Sequence, residues 1–179
     1  KNKMKFAVIP PEQFPNIPNI EDSEKICSLP AETLVQLIAE GGSASSVPQE
    51  FPKYIGACLV RTKMGSIKIV ATDGKRLSLS QRTCETIEAE KDFMLPAIAF
   101  KKLGKCLAGY KEKDVQISAN DAVAWFAVEG IEFSVRLVDA LFPDYERILN
   151  DVIQTSLRIK GGDLIFALER IDIIAKTTP

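Results

Sequence analysis

The sequence has 179 residues, of which 46% are hydrophobic and 26% are charged, and 23 basic residues against 24 acidic ones give a formal net charge of -1. This composition is typical of a globular chain with a sizeable core, and the balanced charge excludes a general attraction to nucleic acid or anionic membranes. With no histidine, no C-x-x-C motif and no apolar run of about 20 residues, the sequence lacks the commonest general base, a zinc-binding pattern and a membrane-spanning segment.

The positions of the cysteines and of the acidic residues indicate the cellular compartment and whether a catalytic or metal site is to be expected. Cys27, Cys58, Cys84 and Cys106 are far apart in the chain, which predicts reduced and mostly buried thiols in a cytoplasmic protein. The acidic residues form no paired motif and no metal-binding cluster. We therefore predict no catalytic site, no metal and no cofactor.

The first 20 residues are typical of the end of one structural unit followed by a linker. Hydrophobic alternation predicts a strand over Lys1–Ile9 with nothing before it to pair with, so we expect the chain to be cut from a longer protein. Pro10–Ile20 then holds four of the ten prolines. Because the residue before a proline is biased toward extended backbone, this stretch is predicted to be a linker.

A pattern of strand, helix and three further strands follows. Glu24–Leu29 is predicted as a strand, a proline opens a helix with one apolar face, and Gly41-Gly42 ends that helix. A polar loop leads to a predicted meander of strands at Tyr54–Arg61, Ser66–Thr72 and Arg76–Ser80. Asp73-Gly74 is a hairpin signal, because glycine takes the positive φ that such turns require.

The same pattern then recurs. Asp92–Leu95 is predicted as a strand, Pro96 opens a helix, and a second meander is predicted at Val115–Ser118, Val123–Val128 and Phe133–Leu137. A third round is predicted to start with a strand at Leu157–Lys160 and a helix capped by Asp163, after a short strand at Tyr145–Leu149. The period of about 65 residues exceeds the ~20 to 50 residues of a solenoid unit. It predicts an α+β domain of two β-α-β-β-β halves, with helices on one face of antiparallel sheets.

Two segments carry a resemblance to a known family. VATDGKRL at Val70–Leu77 and LVDALFPDYERIL at Leu137–Leu149 resemble signature segments of the bacterial sliding clamp, the β subunit of DNA polymerase III. The resemblance implies the DNA clamp fold, with two such halves per domain and three domains per chain. It also implies three divisions of this chain: 1–22 as the last strand of a first domain plus linker, 23–144 as a complete middle domain, and 145–179 as the truncated start of a third domain.

Clamps of this family bind short partner peptides in a groove between the second and third domains. The resemblance places the following residues at groove positions: Ile55, Thr72, Gly74, Lys75, Arg76, Leu77, Pro143, Arg147 and Ile148. Apolar residues such as Leu77 suit an apolar slot for the peptide, and polar residues such as Arg76 suit interaction with the peptide's polar groups. Gly74-Lys75-Arg76 is not a nucleotide-binding loop, because no glycine lies five residues before Gly74 and an arginine follows Lys75.

A further set of residues is implied to face DNA in the hole of the ring: Gln49, Lys53, Tyr54, Lys101, Lys102 and Lys105. The three lysines after Phe100 lie on the second helix, opposite its apolar face, where the resemblance places them toward phosphates without reading sequence. The first helix, Ala31–Glu40, contains no lysine or arginine, so its charge gives no reason to expect contact with DNA.

The function implied by the resemblance is a non-enzymatic processivity factor that encircles duplex DNA. The implied partners are DNA, the DNA polymerase III catalytic subunit, the clamp loader, other proteins with a clamp-binding motif, and a second copy in a head-to-tail homodimer. A stand-alone peptide-binding adaptor that never encircles DNA is the alternative. The length of the parent open reading frame separates the two, since a ring needs two further repeats before Lys1 and one after Pro179.

Overall fold

The computed structural model describes residues 4, 8–13, 18–46, 52–149 and 155–177. The chain divides into two compact units, Lys1–Phe142 and Pro143–Pro179. The predicted domain divisions at 1–22, 23–144 and 145–179 stay predictions. No helix in the described part of the chain is long and apolar enough to cross a membrane.

The described residues of the first unit form eight strands and two α-helices in two rounds. In the first round these are β1 Glu24–Pro30, α1 Ala31–Gly41, β2 Ala57–Lys63, β3 Ser66–Thr72 and β4 Leu77–Thr83. In the second round they are β5 Lys91–Pro96, α2 Ala97–Leu107, β6 Asp114–Ala119, β7 Val123–Val128 and β8 Ile131–Arg136. The predicted α+β class and the two β-α-β-β-β halves are confirmed.

The two halves are interlocked through exchange of their first strands. One sheet has the order β1-β6-β7-β8 and the other has the order β4-β3-β2-β5. Leu29 of β1 therefore pairs with Val115 of β6, and Leu95 of β5 pairs with Cys58 of β2. Neither half completes its sheet alone, because each meander needs a strand from the other half to reach four strands.

The two helices share one core with both sheets. Phe100 of α2 packs near Phe126 of β7, with ring centroids 6.1 Å apart, and both side chains are buried. Two glycines allow close approach: a Cβ on Gly104 would lie 3.4 Å from Ile38 of α1, and a Cβ on Gly41 would lie 2.5 Å from a β3 carbonyl oxygen. A larger residue at Gly41 would push the end of α1 away from the sheet.

Three of the four cysteines belong to this core, which confirms that the thiols are mostly buried. Cys27, Cys58 and Cys84 are buried and Cys106 is exposed, and all four are free thiols. Burial is the main cause that raises the pKa of Cys27 to about 12 and that of Cys58 to about 11. The two thiols are therefore protonated at neutral pH, and thiolate chemistry is disfavoured there.

Most predicted strands lie where the alternation placed them, and two, Ser66–Thr72 and Val123–Val128, have the predicted bounds. The start of the predicted strand Tyr54–Arg61 is wrong. Residues Lys53–Gly56 form a 3-10 helix instead, in which Ile55 N donates to Pro52 O at 3.3 Å. The proline before it has no N–H for a sheet, and the backbone satisfies its hydrogen bonds locally before β2 begins.

The second unit contains two helices, α3 Glu146–Leu149 and α4 Gly161–Thr177, and no strand in its described residues. The strand predicted at Tyr145–Leu149 is wrong, because Ile148 N and Leu149 N donate to Tyr145 O and close a helical turn. The strand predicted at Leu157–Lys160 is also wrong. In the first unit each such strand pairs with the meander of another half, and the described part of this unit holds no meander.

The predicted cap of α4 needs a correction as well. The helix begins at Gly161 and Leu164 N donates to Lys160 O at 3.1 Å, so Asp163 lies inside the first turn and is not the cap. A carboxylate there still favours the positive end of the helix dipole.

Within the first unit, the segment before β1 contacts the sheet through Trp125 of β7, whose Nε1 donates to Pro18 O at 3.3 Å. Short 3-10 helices lie at Pro11–Gln13 and Ile20–Asp22. Most of the strand predicted over Lys1–Ile9 lies outside the described residues, and Met4, Val8 and Ile9 are not in a strand.

Candidate functional site

The first six predicted groove residues lie at one end of the β4-β3-β2-β5 sheet. Antiparallel pairing brings the end of β3 beside the starts of β2 and β4, with Thr72 opposite Leu77 as the last pair. The turn between them contains Gly74, Lys75 and Arg76. The 3-10 helix with Ile55 runs directly into β2 and contacts β2 and β3. Folding therefore brings these six residues together at one end of the sheet.

Thr72 holds the backbone of this turn. Its hydroxyl donates to Arg76 O at 2.8 Å and accepts from Gly74 N at 3.1 Å, while Asp73 N donates to Arg76 O at 3.4 Å. Gly74 has φ of +85°, a left-handed conformation that glycine adopts without a steric penalty. The hydroxyl expected to face a peptide is thus used within the turn, and its role there is to shape the loop.

Asp73, which was not predicted as a site residue, organises the rest of the turn. Its Oδ1 accepts from Lys75 N and from Arg76 N, each at 3.0 Å, and its Oδ2 accepts from Arg76 Nε at 3.0 Å. The backbone hydrogen bonds from Lys75 and Arg76 are the main cause that lowers the pKa of Asp73. The Asp-Gly pair predicts the hairpin, and the tendency of aspartate to accept from a backbone N–H two residues on is the sequence signal for this further role.

Beside the turn lies an apolar layer on the face of the sheet opposite the helices. Leu59 of β2 pairs with Val70 of β3 and Met94 of β5, and all three side chains are buried. Tyr54, on the 3-10 helix before β2, lies edge-on to Phe142, with ring centroids 6.1 Å apart. As a result β3 is buried on both faces.

The other sheet carries a polar row at the equivalent position. In the register of the first half the row across the four strands is Met94, Leu59, Val70 and Leu79. In the second half the matching row is Ser28, Gln116, Ala127 and Glu132, which line an open cavity. The matching row is therefore apolar and largely buried in the first half, and polar and open in the second.

The other three predicted groove residues belong to the second unit. Pro143 precedes the α3 turn, where its carbonyl oxygen accepts from Tyr145 N at 2.8 Å. Arg147 and Ile148 lie on α3, and the Ile148 side chain is 64% exposed. Their membership of one groove with Thr72 and Leu77 stays a prediction.

Of the residues expected to face DNA, three share a surface. Lys101, Lys102 and Lys105 are exposed on α2, on the side away from its buried residues. Lys53 is exposed and Tyr54 is half-buried on the 3-10 helix before β2. Gln49 lies outside the described residues, and contact of the whole set with DNA stays a prediction.

The acidic end of α1 is paired within the protein. Glu40 accepts from Arg82 Nη2 at 2.8 and 3.0 Å through its two oxygens, and Ser80 donates to it at 2.6 Å. The bonds from Ser80 and then Arg82 lower the pKa of Glu40. One of the two acidic residues of α1 is thus offset by an arginine, which reduces the repulsion this helix would exert on an anion.

The arrangement provides apolar contact and cationic donors at one end of the sheet. Leu77 and Ile55 are half-buried, while Lys75 and Arg76 are exposed beside them. Within the described residues no group of three or more cysteine, aspartate or glutamate side chains is placed to hold a metal ion. These features suit binding of an extended peptide with apolar anchors.

Comparisons with known proteins agree with the fold. The family described as the DNA polymerase III beta subunit, central domain, matches residues 28–144. A relative from Staphylococcus aureus, the beta sliding clamp, is 24% identical over 175 residues, which is 98% of this chain and 46% of the relative. The chain thus spans about half the length of the curated relatives it matches.

Solved structures give the same result. A structure described as a putative DNA polymerase III beta subunit from Eubacterium rectale aligns with a TM-score of 0.85 at 22% identity, covering 99% of this chain and 48% of the other. A DNA polymerase III beta chain from Streptococcus pneumoniae aligns with a TM-score of 0.80 at 25% identity, over 96% and 45%. Because the family match covers more than half of the chain and the fold agrees along nearly all of it, this chain belongs to the DNA polymerase III beta subunit family, the bacterial sliding clamps.

Proposed function

We propose that this chain is part of a processivity factor that encircles duplex DNA and tethers the replicative polymerase through a peptide-binding groove. The observation that carries the proposal is the turn at Asp73–Arg76, which is held by its own hydrogen bonds and lies beside half-buried Leu77 and Ile55. Membership of the sliding clamp family supports the same function. The proposed partners are the polymerase catalytic subunit, the clamp loader, other proteins with a clamp-binding motif, and a second copy in a head-to-tail ring in the cytoplasm. The protein contributes no catalysis of its own.

The proposed mechanism depends on topology and tethering. A polymerase held by a ring rebinds its primer end as an intramolecular event, at an effective concentration set by the tether. Tight contact with DNA is then unnecessary and would slow sliding. The net charge of -1 is compatible with this, because affinity for phosphates is left to local lysines.

The peptide site is tested by chemical-shift mapping on the 179-residue chain. We expect a short peptide that ends in apolar residues, with an upstream glutamine, to shift the amide signals of Ile55, Thr72, Lys75 and Leu77. Binding is expected to be weaker than to a full-length clamp, because the groove is proposed to use third-domain residues as well. Shifts that cluster instead on α2 would show that the groove assignment is wrong.

The DNA-facing surface is tested by salt dependence. We expect the chain to bind linear duplex weakly at low salt and undetectably at physiological salt, because few phosphates are neutralised. Replacing Lys101, Lys102 and Lys105 together by glutamine is expected to lower the slope of log K against log salt by roughly one unit for each lysine that contacts a phosphate. Fluorescence anisotropy with a labelled duplex measures both.

A matched control removes three lysines elsewhere on the first unit, Lys25, Lys63 and Lys111. This variant has the same net charge as the α2 variant, so an equal loss of slope would indicate general charge attraction and contradict a specific role for α2. Sequence-specific binding at nanomolar strength by the unaltered chain would contradict the clamp proposal as a whole.

A further inference from the structure

We propose that Asp73 is a positioning residue that fixes Arg76 as a carboxylate-binding group, so that this site selects peptides with a carboxylate beside their apolar anchor. The inference rests on the proposed peptide-binding function of the same site and adds a ligand class to it.

The two oxygens of Asp73 do different things. Oδ1 accepts from the backbone N–H groups of Lys75 and Arg76 and so holds the loop, whereas Oδ2 accepts from Arg76 Nε and so holds the side chain. Both the Cα position and the Nε position of Arg76 are fixed by one carboxylate. An arginine held at two points loses less side-chain freedom when it binds a ligand than one that is free to rotate.

The remaining donors of Arg76 are directed away from Asp73. A guanidinium has five N–H donors in a planar fork, and pairing through Nε leaves the two terminal nitrogens on its other edge. In the described part of the chain these nitrogens have no hydrogen-bond partner, and the Arg76 side chain is 67% exposed. Two parallel N–H donors on one edge match the two oxygens of a carboxylate.

Local charge favours an anion over a neutral group. Lys75 is exposed and forms no ion pair with any described residue, so the turn carries two cations against one carboxylate. The next residue, Leu77, is half-buried and belongs to the apolar part of the site. A peptide whose apolar side chain contacts Leu77 therefore places its neighbouring residue or its chain end against Arg76.

Three synthetic peptides that share an upstream glutamine and apolar residues at the end provide the test. The first has a free C-terminal carboxylate, the second a C-terminal amide, and the third an amide plus an aspartate next to the apolar residues. For the unaltered chain we expect the first or third peptide to bind about two- to fivefold more tightly than the second, in the range of an exposed ion pair. Comparison of the first and third identifies which source of carboxylate is used.

Two variants separate positioning from charge. Asp73→Asn retains an Oδ1 acceptor for the backbone but presents an N–H donor to Arg76 Nε, so the loop is kept and the side-chain pairing is lost. Arg76→Met removes the donors at similar length. In both variants we expect the preference for a carboxylate over an amide to fall to near one.

The expected sign for Asp73→Asn is informative, because removing a negative charge would by itself strengthen attraction to an anion. A preference that rises or stays the same in Asp73→Asn would overturn the positioning role. Equal binding of all three peptides to the unaltered chain would overturn the carboxylate selectivity alone. If none of the peptides bound, the proposed peptide-binding function would fail, and the inference with it.

Discussion

Leu77→Lys is expected to abolish peptide binding at the β3–β4 turn. Leu77 is half-buried at the start of β4, opposite Thr72, and a lysine there would bring an unpaired charge into the apolar part of the site. A cost of about 3 kcal/mol for that burial corresponds to a loss of affinity of about a hundredfold or more. Isothermal titration with the glutamine-containing apolar peptide measures the change.

The matched control for this variant is Gln81→Lys. Gln81 lies on the same strand, four residues on and exposed, so the substitution adds the same charge away from the turn. We expect its affinity for the peptide to stay within about twofold of the unaltered chain. If Leu77→Lys bound the peptide as well as Gln81→Lys does, Leu77 would not be part of the site. Thermal unfolding of both variants establishes that they are folded.

Phe100→Ala is expected to give the largest loss of stability. Phe100 is 1% exposed on α2 and packs near Phe126, so truncation leaves a cavity between the helix layer and the sheet. Substitutions of this kind cost about 3–5 kcal/mol, a large part of the roughly 5–15 kcal/mol that stabilises a domain. Urea unfolding followed by the fluorescence of the single tryptophan, Trp125, reports on this unit because that side chain is fully buried.

Ile98→Ala on the same helix is the control. Its side chain is 52% exposed, so its truncation is expected to change the free energy of unfolding by no more than about 0.5 kcal/mol. Equal midpoints for the two variants would mean that α2 is not held by the shared core. Because α2 also carries the lysines proposed to face DNA, loss of its packing is expected to disturb that surface too.

Local patterns in the sequence were sufficient for the elements that depend on near neighbours. The alternation in Ser66–Thr72 and Val123–Val128 predicted both strands, because the two-residue side-chain period of a strand is visible wherever one face is apolar. The period of about 65 residues predicted the two halves and the α+β class, and the Asp-Gly pair predicted the hairpin. The resemblance of Val70–Leu77 to a clamp segment named the family that the comparisons then confirmed.

Only the tertiary structure decided the features that depend on distant partners. Exchange of β1 and β5 between the halves rests on pairing across long stretches of chain, which no local period encodes. The same holds for Val70 of β3, which is fully buried between its strand partners Leu59 and Leu79. Tyr145–Leu149 has apolar residues at spacings open to either a strand or a helical turn. The helical turn closes its own hydrogen bonds, and a strand needs a partner.

For the candidate site too, part could be predicted from the sequence and part was decided only by the tertiary structure. Its residue types could be read from the sequence, since Leu77, Lys75 and Arg76 are adjacent in the chain. The sequence predicted the positive φ of Gly74 but not which backbone atoms the Thr72 and Asp73 side chains contact, because those contacts depend on distances near 3 Å in the folded turn. Side-chain identity is local information, whereas the hydrogen-bond partner of each polar atom is set by backbone geometry that exists only once the hairpin has folded.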